Sequence, residues 1–363
     1  MSHCLTPAQQ LAIDHIAAYA QSRKDDAASI IEEVLAMSNI HGETLEQAVA
    51  SMNQHARVAL HFHPDRLNPA MKSIAEALLE EGVYKSQFET FLSNGSVSAY
   101  PGGQRDVWEE RLFGGAYQTE GTTNAERPKY GALNLMLHPD GPAPRFGSCY
   151  FLLRPNVTRR CTFTYMDSHQ EPEEKGTSAQ FSMILAALLR DAFQNESALG
   201  ERELTPGKLL EHLIHKLGLP LIEPSHRLAM RNLNHYIEAQ IHGTVSLKED
   251  AESLVADPSF KGTKTGELLE RLCLLYDIRL FWHMGYSLAV ADVPSNFRGP
   301  AMPSLAQRIA VNGRINAHTI GAAAAEVVRH PDAWSDRGSA KAMLQELKLL
   351  WHVLVRYGSP FPI

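Results

Sequence analysis

Cysteine is scarce in this chain of 363 residues: Cys4, Cys149, Cys161 and Cys273 stand far apart with no paired spacing. That excludes a disulfide framework and a zinc knuckle, and leaves the four as small core residues or free thiols. Long apolar runs are missing too. None approaches the roughly 20 residues that cross a bilayer, and the N-terminus lacks the basic, apolar, small-residue order of a secretory signal. No membrane span is expected, and the chain is expected in the cytoplasm at its point of synthesis. Positive charge is in deficit, with 34 Lys and Arg against 41 Asp and Glu for a formal net charge of -7. A general nucleic-acid binder carries the opposite balance. There is no G-x-x-x-x-G-K-[ST], no G-x-G-x-x-G leading from a strand into a helix, and no G-x-S-x-G elbow.

What is present is a mixture of helical and alternating patterns without regular beta-alpha alternation, which predicts an α+β domain. Residues 1–54 read as a helical N-terminal extension, with Ile30, Ile31, Val34, Leu35 and Met37 as an apolar stripe. From Arg57 to His63 the alternation is that of a strand, with Val58, Leu60 and Phe62 on one face and Ala59, His61 and His63 on the other. A helix over Lys72–Glu81 stops at Gly82. Turn formers follow at Ser93–Ser96 and Pro101–Gly103, around a helical turn at Val107–Phe113. Two strands, Ser148–Leu153 and Thr158–Tyr165, are expected across a tight connection at Arg154-Pro155-Asn156. Helices are expected at Ser178–Phe193, Gly207–Leu217 and Leu268–Tyr276, a capped helix opening at Ser246, and late strands at Ile278–Trp282 and Tyr286–Val290. Residues 301–363 read as a helical extension whose Met343, Leu347, Leu350 and Leu354 dock on the core.

Three stretches carry candidate chemistry. His61 and His63 share a strand face and Asp65 follows, a spacing similar to that of metal-dependent hydrolases. The same imidazoles, with Arg66, suit a metal-free role in holding the phosphates or ribose of a nucleotide. Glu126–Asn134, on its residues alone, reads as a rigid surface turn with Arg127 and Lys129 solvated. In His235–Gly243 the period fits either helix or strand. As a strand, it sends Ile237, Ala239 and Ile241 to a core and puts Tyr236, Glu238, Gln240 and His242 on the other face. A carboxylate flanked by an amide, a phenol and an imidazole can stabilise developing positive charge or move a proton.

The order Glu126-Arg-Pro-Lys-Tyr-Gly-Ala-Leu-Asn134, Arg145-Phe-Gly-Ser148, Arg160-Cys-Thr-Phe-Thr-Tyr-Met-Asp-Ser168 and Tyr236-Ile-Glu-Ala-Gln-Ile-His-Gly243, with His61-Phe-His-Pro-Asp-Arg66 in front, resembles ADP-ribosyltransferase-like domains of bacterial effectors and phage head-associated proteins. The resemblance spans residues 55–300. It implies a split, bent β core that clamps NAD, with an Arg or His, a Ser and a Glu supplied by three strands. Glu238 matches the catalytic glutamate. Arg66, or one of His61 and His63, takes the first-strand role, and Ser148, with Ser168 next in preference, the middle-strand role. Gly131, within the first motif, and Gln240 count with the donor-binding group. By chemistry and position, Tyr130 is expected to stack on nicotinamide and Arg127 to meet a phosphate. The implied activity is a mono-ADP-ribosyltransferase that uses NAD as donor and a protein side chain as acceptor, or an NAD glycohydrolase, in a toxin-like effector delivered without a classical signal. No metal is required. The alternative is a hydrolase built on His61, His63 and Asp65. Where many members of the superfamily have Glu or Gln two residues before the catalytic Glu, this chain has Tyr236, which leaves the acceptor open.

Overall fold

Alternation over Arg57–His63 becomes a strand at Val58–Phe62 (β1). In the computed structural model, which describes residues 5–92, 99–220 and 228–361, β1 is buried on both faces. Val58, Leu60 and Phe62 enter the main core, while Ala59 packs with Tyr150, Leu152 and Val255. Around it lie Lys129–Leu133 (β2), Cys149–Leu153 (β3), Cys161–Tyr165 (β4), Lys175–Thr177 (β5), Ile237–Ile241 (β6), Ala251–Ala256 (β7) and Arg279–Trp282 (β8). They form one eight-stranded sheet in the order β8-β7-β3-β1-β2-β6-β4-β5. All neighbours are antiparallel except β7 and β8. Helices precede, interrupt and follow these strands, so the fold is α+β.

The sheet parts at one place. β1 and β2 share only two rungs, Val58 with Leu133 and Ala59 with Ala132. Beyond them β1 runs on along β3, Leu60 opposite Phe151 and Phe62 opposite Cys149. β2 instead runs along β6, with Lys129 opposite Ile241 and Gly131 opposite Ala239. Gly131 stands at this fork. A Cβ there would come 2.6 Å from the carbonyl oxygen of Ala59, so a glycine is what lets the two strands approach and then diverge.

Helices frame the sheet. Ile74–Glu81 (α1) starts from a Ser73–Glu76 capping box and stops at Gly82 with φ 65°, as its sequence predicts. Gln104–Phe113 (α2) is a full helix where a single turn is expected from the sequence. The N-terminal helices are built into the core: Lys24–Met37 packs on Ser182–Gln194, and Gly42–His55 on Pro206–His215. At the other end, Ala340–Tyr357 (α3) buries Met343, Leu347, Leu350 and Leu354.

Three expectations are corrected, and one holds over a short span. The strands at Cys149 and Cys161 exist but do not pair. A 3-10 helix at Pro155–Arg160, anchored by the Arg160 guanidinium on Asp250 at 2.9 Å, carries the chain to the far half of the sheet. Glu126–Asn134 is no surface turn, because most of it is the central strand β2, with Arg127 and Lys129 both buried. The helix opened by Ser246 is present as expected, with the Glu249 N–H donating to the Ser246 hydroxyl, and after four residues, Leu247–Asp250, it gives way to β7. A short strand, Arg314–Asn316, interrupts the helical tail by pairing with Ser287–Ala289. The turn at Ser93–Ser96 and Cys4 lie outside the described residues, and the other three cysteines are buried free thiols.

Candidate active site

His235–Gly243 resolves as a strand because its alternation serves both sides of the sheet. Ile237, Ala239 and Ile241 sit in the core, and Glu238 and Gln240 face the other way. Where β1 and β2 part, a cavity of about 270 Å³ opens. His61, His63 and Arg66 line it from the first strand and the loop after it, Tyr130 and Gly131 from β2, and Glu238 from β6. The chain thus brings together residues from three of the motifs that sequence singles out.

Glu238 is 6% exposed and is held by its neighbours. The Gln240 amide donates to its Oε1 at 2.9 Å, and Gln240 in turn accepts from the Thr162 hydroxyl at 2.8 Å. Burial, then the charge of Asp167, pushes the Glu238 carboxyl up to about 7. Gln240, Arg105 and the Ser168 hydroxyl oppose that shift. Ser168 lies beside the carboxyl, and its Oγ is buried short of a well-formed hydrogen bond. Asp167 keeps its proton affinity below the ordinary range despite burial, because His169 stands 2.8 Å away and the Tyr236 hydroxyl donates to it at 2.9 Å.

The adjoining wall is aromatic and cationic. The Arg105 guanidinium lies 4.2 Å over the Trp108 ring and 4.8 Å over Tyr130. Trp108 presents an indole N–H that is buried without a partner. Tyr130 is fixed by donating its hydroxyl to Glu109 at 2.7 Å. Asp167 falls within the Arg160–Ser168 motif, whereas Arg105 and Trp108 lie outside every motif. Their one visible signal is the i, i+3 spacing that puts them on one face of α2.

Other candidates fall elsewhere. Arg127 does not line the cavity: it bridges Asp106 at 2.6 Å and Glu109 at 2.9 Å and stacks on Phe88, a buried structural cation that leaves no face for a phosphate. Ser148 is buried behind the wall with its hydroxyl 3.4 Å from His63 Nδ1, so Ser168 is the serine beside Glu238. His242 is on the face of Glu238 but packs away from it, stacked on Tyr117 and 3.0 Å from the Thr162 hydroxyl. Burial drives His61 and His63 down to about 4 and about 3, so both are neutral. Each ring nitrogen of His61 has a backbone neighbour, Gly147 O at 3.4 Å and Ala143 N at 3.3 Å. Asp65 does not join them. It lines a second cavity with His318 and Gly321, where burial raises its carboxyl to about 7.

No curated protein matches the chain. Residues 57–357 match a family model described as a protein of unknown function, DUF3626, which spans the sheet, the cavity and the C-terminal helices. The chain therefore belongs to the DUF3626 family.

Proposed function

We propose that this protein is a NAD-dependent mono-ADP-ribosyltransferase that modifies a protein side chain. One observation carries the reading: a buried carboxylate, Glu238, opens into the cavity at the fork of the sheet, in a pocket also lined by Trp108 and Tyr130. Trp108 and Tyr130, with Arg105 over both rings, bound the nicotinamide end of the pocket, and the free indole N–H of Trp108 is a donor for its carboxamide. Arg66 and His63, at the end of β1, face the ribose and phosphate side.

In the reaction the bond between ribose C1′ and the nicotinamide nitrogen breaks, and its electron pair neutralises the pyridinium. The ribose acquires oxocarbenium character, which an ionised Glu238 stabilises at close range. An acceptor nucleophile adds to C1′ and passes its proton to the carboxylate, whose affinity near neutrality suits that transfer. The positive charge of the nicotinamide ring in bound NAD favours the ionised form of Glu238, so donor binding itself prepares the site. Water in place of a protein acceptor gives NAD hydrolysis.

The hydrolase alternative needs His61, His63 and Asp65 on one ion, and Asp65 lies on a different cavity. Release of nicotinamide from NAD, measured for wild type and Glu238→Gln with a chelator and a whole-cell extract, tests the proposal. Release that depends on Glu238 and survives chelation supports it, and label from NAD then marks the acceptor in the extract. An absence of release from wild type overturns it.

A further inference from the structure

The Glu238 chemistry does not account for the positive charge gathered on the neighbouring wall. In a chain of net charge -7, Arg66 and Arg145 line the cavity beside His63 and Phe146. Helix α3 (Ala340–Tyr357) is docked against the same corner. Its Trp351 Nε1 donates to the Pro144 carbonyl at 2.9 Å, next to Arg145, and its ring meets His63 edge-on at 5.1 Å. Lys348 and His352, one turn apart, flank Trp351 on the helix.

These cations crowd one another. Burial, then the charges of Arg145, Arg66 and Arg298, holds the Lys348 ammonium down at about 8, with Asp167 opposing. The partners of Arg145 are neutral, Leu233 O at 3.4 Å and Asn234 Oδ1 at 3.2 Å. Arg298 has a buried Nε without a partner. His352 is 2% exposed, neutral, and neither of its ring nitrogens has a partner. Buried polar groups are normally hydrogen-bonded, and an unpaired neutral imidazole among cations is matched by an anion that accepts its N–H rather than by a cation or an apolar group.

We propose that α3 completes the cavity with an anion subsite in which Arg66, Arg145, Arg298 and Lys348 receive a diphosphate, with His352 donating one further hydrogen bond. The identification of that diphosphate as the one in NAD rests on the function proposed above; the subsite itself does not. Two linked phosphates match the arrangement because it offers several donors over a stretch of wall rather than one fork.

The test is calorimetric titration of inorganic pyrophosphate into the full chain, as wild type, Lys348→Met, Lys348→Arg and Glu238→Gln. Saturable binding is expected for wild type, weaker by about tenfold or more in Lys348→Met for the loss of one charge-assisted contact. Binding should be restored in Lys348→Arg and unaffected in Glu238→Gln. Wild type without saturable binding, or Lys348→Met that binds as wild type does, overturns the subsite. Steady-state NAD cleavage separates the two proposals. Pyrophosphate binding in a protein that leaves NAD intact upholds the subsite and removes NAD as its ligand. Glu238-dependent cleavage with an unchanged KM in Lys348→Met removes the subsite and spares the activity.

Discussion

Glu238→Gln separates what the carboxylate does in the proposed reaction from what it does to the fold. The carboxyl has an ordinary value of 4.5 and is raised to about 7 by burial and by Asp167. The folded state therefore binds this proton more tightly than the unfolded chain. The stability linked to it is full below pH 4.5 and is lost as pH rises through 7. Integrating between those two values, the ionisable carboxyl destabilises the fold by about 3 kcal/mol at pH 8 and about 1 kcal/mol at pH 5. Gln keeps the shape, retains an acceptor for the Gln240 amide and has no charge to desolvate. The variant should therefore resist urea better than wild type at pH 8, with a midpoint higher by about 1 M, and the gap should close on acidification. Nicotinamide release should collapse in the same variant. Equilibrium urea curves at pH 8, 6 and 4, followed by tryptophan fluorescence, measure the first part. A variant less stable than wild type at pH 8, or a gain that persists unchanged at pH 4, refutes the account of a strained, desolvated carboxylate.

In the wild type, with the ionised form the active one, kcat/KM for NAD should rise by about tenfold between pH 6 and pH 8, and Asp167→Asn should move that limb to lower pH by removing the neighbouring charge; a limb that stays in place excludes Asp167 as its cause. Arg127→Met strands the buried Glu109 and Asp106 carboxylates and should cost about 3–5 kcal/mol in stability, read as a lower melting temperature. Trp108→Ala removes the unpartnered indole donor and should raise KM for NAD by about tenfold with little change in fold, seen in initial rates beside circular dichroism.

Much of the site was legible because it depends on local rules. Period-two alternation puts Glu238 and Gln240 on one face of β6, and the same rule places His61 opposite Leu60 and Phe62 on β1. The central strand β2 was not legible. Arg127 and Lys129 look solvated by residue type, and only the tertiary partners Glu109 and Asp106 for the one, and the carbonyls of Ala125 and Gly243 for the other, make their burial tolerable. Arg105 and Trp108 escaped for a related reason. Nothing in the sequence of α2 states that its face will meet Tyr130, a contact made over two dozen residues. Register with non-neighbouring strands was equally hidden: a polar connection at Arg154-Pro155-Asn156 suits a hairpin, and the choice against one is made by Arg160 reaching Asp250.

The bond from Trp351 to the Pro144 carbonyl ties together positions 207 apart. During synthesis at 5–20 residues per second, Pro144 and the β3 strand beside it wait roughly 10–40 s before Trp351 exists to meet them. The three strands that carry His61, Tyr130 and Glu238 are complete by residue 241, yet the wall bearing Lys348 and His352 arrives more than a hundred residues later. The order of emergence from the ribosome thus leaves the corner at His63 and Pro144 without its docked helix until translation has passed α3, so a nascent chain carries the carboxylate well before that corner is closed.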